Sequence, residues 1–290
     1  GMYRWLARLT HVDPDAPRRF IKVAWERMEL LSPRAVRELR FWRSELPDHP
    51  GRPIWQVGAR SVMQLDRCGH ERLAVFASDA GEPAWSATLD EGRGQRRVAR
   101  QQFTTWESVQ SSGLRELWGV LRGLLSFPDF RDATLVVVGD TQTAIQALEI
   151  GSKTEAMNDV AVAILLVAMR RNIEIIPRWL GRDTAEIAEN DDGSKLQDRS
   201  DFMLDPKEFR RLQERWDVTY TFDRFSSTPT TQGSPRLRFH SLWGCPEATG
   251  GPDAFTHDWG GEVNWLHPPR CEIGRAIVHL RDCSAEGTII

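Results

Sequence analysis

The run Thr134-Leu135-Val136-Val137-Val138 leaves this chain few architectures. It is apolar and β-branched almost throughout, so it has no face to offer water. Such a strand needs cover on both sides, which a parallel sheet flanked by helices provides. Asp140 follows directly beyond its carboxyl end, the edge at which open α/β sheets bind their ligands.

The segments around this run fit a mixed sheet. Arg72 to Ala77 reads as a central strand, Ala84 to Leu89 as its antiparallel partner across a Gly-Glu-Pro turn, and Arg97 to Phe103 as a third strand. Leu114, Leu117, Trp118, Leu121, Leu124 and Leu125 recur at helical spacing and predict a helix over Leu114 to Phe127, with Ser112 available as its cap. Glu155 to Arg171 predicts another helix, followed by the strand Ile173 to Ile176. Strand, helix and strand in that order form a right-handed crossover.

The ends of the chain differ from this middle. Pro17 to Leu31 and Arg34 to Ser44 read as helices broken at Ser32-Pro33, and Pro47 to Gly51 as a turn. Residues 183–198 are acidic enough to pass for a solvated loop. Asp201 to Trp216 holds an amphipathic helix, Val218 to Phe222 a short β-like run, and Ile273 to Leu280 a final helix. The Ser/Thr/Pro/Gly-rich stretch 226–253 is long for a loop in a compact domain. The expected organisation is a helical segment 1–60, an α/β domain 61–200 and a small α/β extension 201–290.

Composition narrows the functional classes. The net charge of -3 does not mark a general polyanion binder, yet residues 1–60 carry twelve Arg/Lys against seven Asp/Glu, and Arg93, Arg96, Arg97 and Arg100 form a second basic cluster. The cysteines, Cys68, Cys245, Cys271 and Cys283, have no C-x-x-C spacing, and only Cys68 and His70 are close. Free thiols in a reducing compartment fit better than a structural zinc. No apolar run reaches the roughly 18 residues a membrane span needs, so no membrane partner is expected. The leading Gly1-Met2 resembles the remnant of a cleaved tag, and native sequence is expected beyond both ends.

Four acids carry the chemistry. Asp79 ends the first strand, Glu116 lies on the Leu/Trp helix, Asp140 ends the buried strand, and Asp191 or its neighbour Asp192 opens a later helix. Taken singly, Asp79 and Asp140 suit turn-initiating aspartates, and Glu116 off the apolar stripe suits an exposed side chain, although Gly119 and Gly123 beside it equally allow the helix to approach the sheet or substrate closely. Together they form a costly cluster, since unit charges about 4 Å apart repel by about 4 kcal/mol at an effective dielectric of 20. Hard divalent cations with carboxylate ligands relieve that repulsion.

At these positions the chain resembles a family. Ala77-Ser78-Asp79-Ala80-Gly81, Arg115-Glu116-Leu117, Val136-Val137-Val138-Gly139-Asp140 and Asn190-Asp191-Asp192-Gly193-Ser194-Lys195 follow the order of the RNase H domain in retroelement reverse transcriptases, most closely the tyrosine-recombinase, or DIRS-type, group. That family's last motif usually reads Ala-Asp-x-Leu-Ser-Lys or -Arg, so Asn190 and Gly193 are departures. The resemblance implies an RNase-H-like fold, a mixed five-stranded sheet flanked by helices. It implies an endoribonuclease that cuts the RNA of RNA/DNA hybrids with two Mg²⁺ or Mn²⁺ ions held by Asp79, Glu116, Asp140 and Asp191.

It further implies nucleic-acid contacts. Ser78, Ala80 and Gly81 would meet one strand, and Arg93, Arg96, Arg97 and Arg100 the phosphates of the other. Arg178 or Arg182 would take the place of a His that many RNases H carry before the last aspartate. Ser32-Pro33 and Glu38 to Trp42 look like the connection to a polymerase domain of the same polyprotein, and the element's life cycle implies an intracellular, nuclear or cytoplasmic, site. Phe222 to Ser227 and Asn264 to Pro269 are similar to an adenine-methyltransferase-like extension, in which His267-Pro268-Pro269-Arg270 stands where an active enzyme carries Asn/Asp-Pro-Pro-Tyr. Methyl transfer and its cofactor are therefore not expected. The competing reading is a domesticated domain that binds nucleic acid or protein without cutting.

Overall fold

The computed structural model describes residues 72–195 and 201–290, apart from 93, 95 and 234, together with Val36, Arg40, Arg43 and Ser44. The chain divides into two compact units, Gly1–Ala59 and Arg60–Ile290. In the first, the four described residues are helical, inside the predicted helix Arg34 to Ser44. The expectations for Pro17 to Leu31, Arg93, and the pair Cys68 and His70 lie outside the described residues.

The second unit opens with a meander, β1 (Leu73–Ala80), β2 (Ala84–Asp90) and β3 (Arg96–Gln102). A short helix α1 (Thr105–Ser108) and a long one, α2 (Ser112–Leu125), lead to β4 (Ala133–Gly139). Helices α3 (Gln142–Ile150) and α4 (Glu155–Arg170) then precede β5 (Ile173–Trp179) and α5 (Ala185–Lys195). The sheet order is β3-β2-β1-β4-β5. β1, β2 and β3 are antiparallel, whereas β4 runs parallel to both β1 and β5. This mixed five-stranded sheet, with helices against it, is the RNase-H-like fold.

Strand parity sorts the core. Phe76, Ala87, Leu135 and Val137 pack with Leu117 and Leu124 of α2 and Ile164 of α4. Ala77 and Val138, of opposite parity, pack with Ile187 of α5. A run apolar on both parities is thus covered on both faces, as Thr134 to Val138 requires. Two glycines set the closeness of α2: a Cβ on Gly123 would lie 2.6 Å from Ala87 Cβ and from Phe76 Cζ, and one on Gly119 would lie 3.7 Å from Ala80 Cβ. The helix therefore rests its backbone on the sheet.

Several boundaries differ from the sequence expectation. Ser111, not Ser112, is the N-cap of α2. The acidic segment 183–198 is no loop where described: Ala185 to Lys195 is helical because Ile187, Asn190 and Ser194 make one buried face. Helix α6 (Pro206–Trp216) begins five residues after Asp201, with Pro206 in its first turn and Asp205 accepting from the Lys207 amide at 2.7 Å.

The last ninety residues build a second five-stranded sheet. It comprises β6 (Phe222–Asp223), β7 (Arg238–Ser241), β8 (Gly251–Pro252), β9 (Val263–Leu266) and β10 (Glu286–Ile289), with helix α7 (Ile273–Asp282) before β10. The order is β10-β9-β6-β7-β8 and the pairings are parallel. So the stretch 226–253 contains two strands, and the final helix reaches Asp282. Trp259, Leu266 and Ala276 form one core of this half, and Phe209, Tyr220 and Trp265 another. The edge of β3 is not left open, because the Arg100 amide donates to Gly244 O at 2.9 Å.

Candidate active site

The parallel pairing of β1 and β4 does most to build the site. Ala77 pairs with Val138, so the same register continued two residues sets Asp140 beside Asp79, one strand spacing of about 4.8 Å away. Glu116 arrives from α2. It lies three residues before Gly119 and seven before Gly123, on the face that rests on the sheet, and is 7% exposed. The exposed side chain that the apolar stripe suggested is thereby corrected: glycines, which carry no hydropathy signal, define the closest face of this helix.

Carboxylate oxygens of Asp79, Glu116 and Asp140 lie within 4.8 Å of one another. Burial pushes the Glu116 carboxyl well above its ordinary range, and the charges of Asp79 and Asp140 push it further, against a hydrogen bond from the Ala80 backbone. Asp79 is also raised, first by burial and then by Asp140 and Asp191, while Ser194 Oγ, donating at 2.5 Å, partly offsets this. Three crowded carboxylates from three elements, two of them held toward their protonated forms, make an oxygen donor set that suits a hard divalent cation. Arg182 Nε donates to Asp140 Oδ2 at 2.5 Å from a largely exposed side chain. Trp179 Nε1 donates to the Asp140 carbonyl at 2.7 Å.

Asp191 stands apart from this group. It is the seventh residue of α5, not its start, and accepts from Lys195 Nζ at 2.5 Å. It is near enough to raise Asp79. Asp192 is fully on the exposed side. The two departures in the motif have local causes. A Cβ on Gly193 would lie 2.5 Å from Ser86 Oγ, so α5 approaches β2 too closely for a larger residue. Asn190 is fully buried and ties α5 to the sheet, donating from Nδ2 to Thr88 Oγ1 at 3.1 Å and accepting from Ser86 Oγ at 3.2 Å.

The other expected contact residues are scattered. Ser78 and Ala80 are buried, with Ala80 in the core beneath α2, so the main chain of Ala80 and Gly81 is what this segment offers a ligand. The basic cluster is split by the two-residue period of a strand. Arg97 binds Glu91 and Asp129 and lies over Phe127 on the α2 side, whereas Arg96 reaches Glu189 of α5 on the other. Arg100 lines a cavity against the second sheet. Arg178 is half-buried on β5. Sequence reasoning did not single out Ser194 or Trp179 as site residues; a serine within the last acidic motif was the only available signal for the first.

No family model matches this sequence, and no curated protein matches it. Among solved structures, the chain is similar to RNase H1 from the halophilic archaeon Halobacterium salinarum, at 17% identity and a TM-score of 0.35, over 42% of this chain and 93% of that one. It is similar to the N-terminal RNase H domain of rv2228c from Mycobacterium tuberculosis, at 13% identity and a TM-score of 0.33, over 51% and 100%. A third, LC11-RNase H1 in complex with RNA/DNA hybrid, has 14% identity and a TM-score of 0.32, over 41% and 92%. No described helix is long and apolar enough to cross a membrane.

Proposed function

We propose that this chain is an endoribonuclease that hydrolyses the RNA strand of RNA/DNA hybrids, as the RNase H part of a retroelement reverse transcriptase. The observation that carries the reading is the group of Asp79, Glu116 and Asp140, drawn from β1, α2 and the end of β4 to within 4.8 Å. Two Mg²⁺ or Mn²⁺ ions, when bound, would supply activation of a water and stabilisation of the leaving oxygen in phosphodiester cleavage. Asp79, Glu116 and Asp140 would hold the cations, and Ser194, donating to Asp79 Oδ2, fixes the orientation of that carboxylate. Asp191, held by Lys195, would be the fourth carboxylate of the set. Arg182, which donates to Asp140 from an exposed side chain, would be available to a substrate phosphate where cations held Asp140 instead. The main chain of Ala80 and Gly81 meets one strand of the hybrid, and Arg96 and Arg100 the phosphates of the other. The resemblance in residues 1–60 supports a polymerase domain of the same polyprotein as partner.

Arg182 on Asp140 and Lys195 on Asp191 favour a second reading, a domain that binds hybrids without cutting them. Cleavage of a labelled hybrid in Mg²⁺ and in Mn²⁺, with single-stranded RNA and duplex DNA as controls, separates the two. Hybrid-selective cutting that Asp140→Asn abolishes supports the nuclease. Hybrid binding without cutting supports the binder.

A further inference from the structure

A cavity of about 550 Å³, whose lining includes none of Asp79, Glu116, Asp140 and Asp191, lies at the carboxyl ends of the second sheet's strands. In the order β10-β9-β6-β7-β8, the chain passes from β6 to β7 and β8 on one side and returns through β9 to β10 on the other. The reversal falls between β6 and β9, where an open parallel sheet leaves a crevice for ligand. Arg224 and Phe225 follow β6, Trp243 follows β7, Phe255 follows β8 and His267 follows β9, and all five line the cavity.

Arg224 is the informative residue. It is 2% exposed, and its guanidinium lies over the Phe222 ring at 3.8 Å. Nε donates to Asn264 Oδ1 at 2.6 Å and Nη1 is 3.5 Å from His240 Nδ1. Nη2 is buried and has no acceptor. Its hydrogen-bond partners among the described residues are neutral, because burial and neighbouring His257 and Arg224 push His240 down to about 3. Burial lowers Arg224 itself only to about 10, with Glu262 and Asp258 favouring its charged form without hydrogen-bonding to it, so it is a cation at neutral pH. A buried guanidinium with an idle donor is stabilised by an anion. Arg275, stacked on Phe255 at 3.8 Å, is already paired with Glu272 at 3.6 Å, and Asp201 and Asp253 also line the cavity, so Arg224 is the cation on which the anion depends.

We propose that this cavity binds a nucleotide, with its phosphate on Arg224 and its base against Phe225, Phe255 and Trp243. Arg224 supplies a charge-assisted donor for the phosphate, and flat aromatic faces accept any base. This site does not depend on the nuclease reading, and its test involves no cleavage.

The test is calorimetric titration of the full chain with AMP, adenosine, inorganic phosphate and S-adenosylmethionine. AMP is expected to bind saturably, about tenfold or more tighter than adenosine or phosphate. Trp243→Ala and Arg275→Ala, both at partly exposed positions, are expected to weaken it several-fold, and Arg224→Gln to abolish it. If Arg224→Gln fails to fold by circular dichroism, the other two variants decide. Absence of AMP binding at millimolar concentration overturns the proposal. So does adenosine or phosphate binding as tightly as AMP, S-adenosylmethionine binding more tightly than AMP, or unchanged AMP affinity in both rim variants.

Discussion

Glu116→Gln should stabilise the chain when divalent cations are chelated. Gln keeps the shape and still accepts from the Ala80 amide, but removes one charge from a group whose oxygens lie within 4.8 Å. At an effective dielectric of 20, each fully ionised pair at that distance repels by about 3.5 kcal/mol. Partial protonation of Glu116 already relieves much of this, so a gain of about 1–2 kcal/mol is expected, or roughly 3–6 °C in Tm for a unit of this size. The sign with pH follows from the raised Glu116 carboxyl. Below the ordinary glutamate range it is protonated folded and unfolded, and carries no penalty. As pH rises through the folded value, the unfolded chain loses its proton more readily, and wild-type stability falls. The advantage of Gln should therefore be absent near pH 4 and largest near pH 8. Added Mg²⁺ should raise the wild type and raise the variant less. Thermal denaturation in EDTA across pH measures this. A variant less stable than wild type at pH 8, or a gap independent of pH, would refute electrostatic crowding at the site.

Other expectations concern single contacts. Arg182→Ala should lower the Mg²⁺ concentration giving half-maximal stabilisation by about two- to fivefold, because an exposed cation no longer competes for Asp140. Gly193→Ala should destabilise by about 1–3 kcal/mol in urea titrations, since its Cβ would meet Ser86 Oγ at 2.5 Å. Leu117→Ala, at a fully buried position of α2, should cost about 2–5 kcal/mol by the same measurement. His240 stays neutral in the fold down to about 3, whereas unfolded it takes a proton near pH 6.5. Stability should thus fall as pH drops from 6.5 toward 3, and His240→Gln should flatten that part of the profile.

What the sequence disclosed depended on the size of each signal. Asp79 and Asp140 were legible because each ends a run apolar enough to be a central strand, and parallel pairing makes them neighbours. Glu116 could be placed on a helix with two readings open, an exposed side chain or a close approach through Gly119 and Gly123, and hydropathy alone could not choose the second, which the structure shows. Arg93, Arg96, Arg97 and Arg100 looked like one patch in a linear reading; strand alternation sends Arg96 and Arg97 to opposite faces. Helix α3 and strands β6, β7 and β8 span nine, two, four and two residues. Elements that short show too few periods to stand out from loops. Arg224 had no sequence signal at all, since its burial depends on β9 and β7 packing beside β6.

That Asp79, Glu116 and Asp140 hold a divalent cation is tested most directly by anomalous scattering from crystals of the chain grown with Mn²⁺. The expected result is a peak within about 2.5 Å of oxygens from all three residues, lost in Asp140→Asn. Mn²⁺ peaks confined to other acidic residues, with Arg182 still on Asp140, would contradict it.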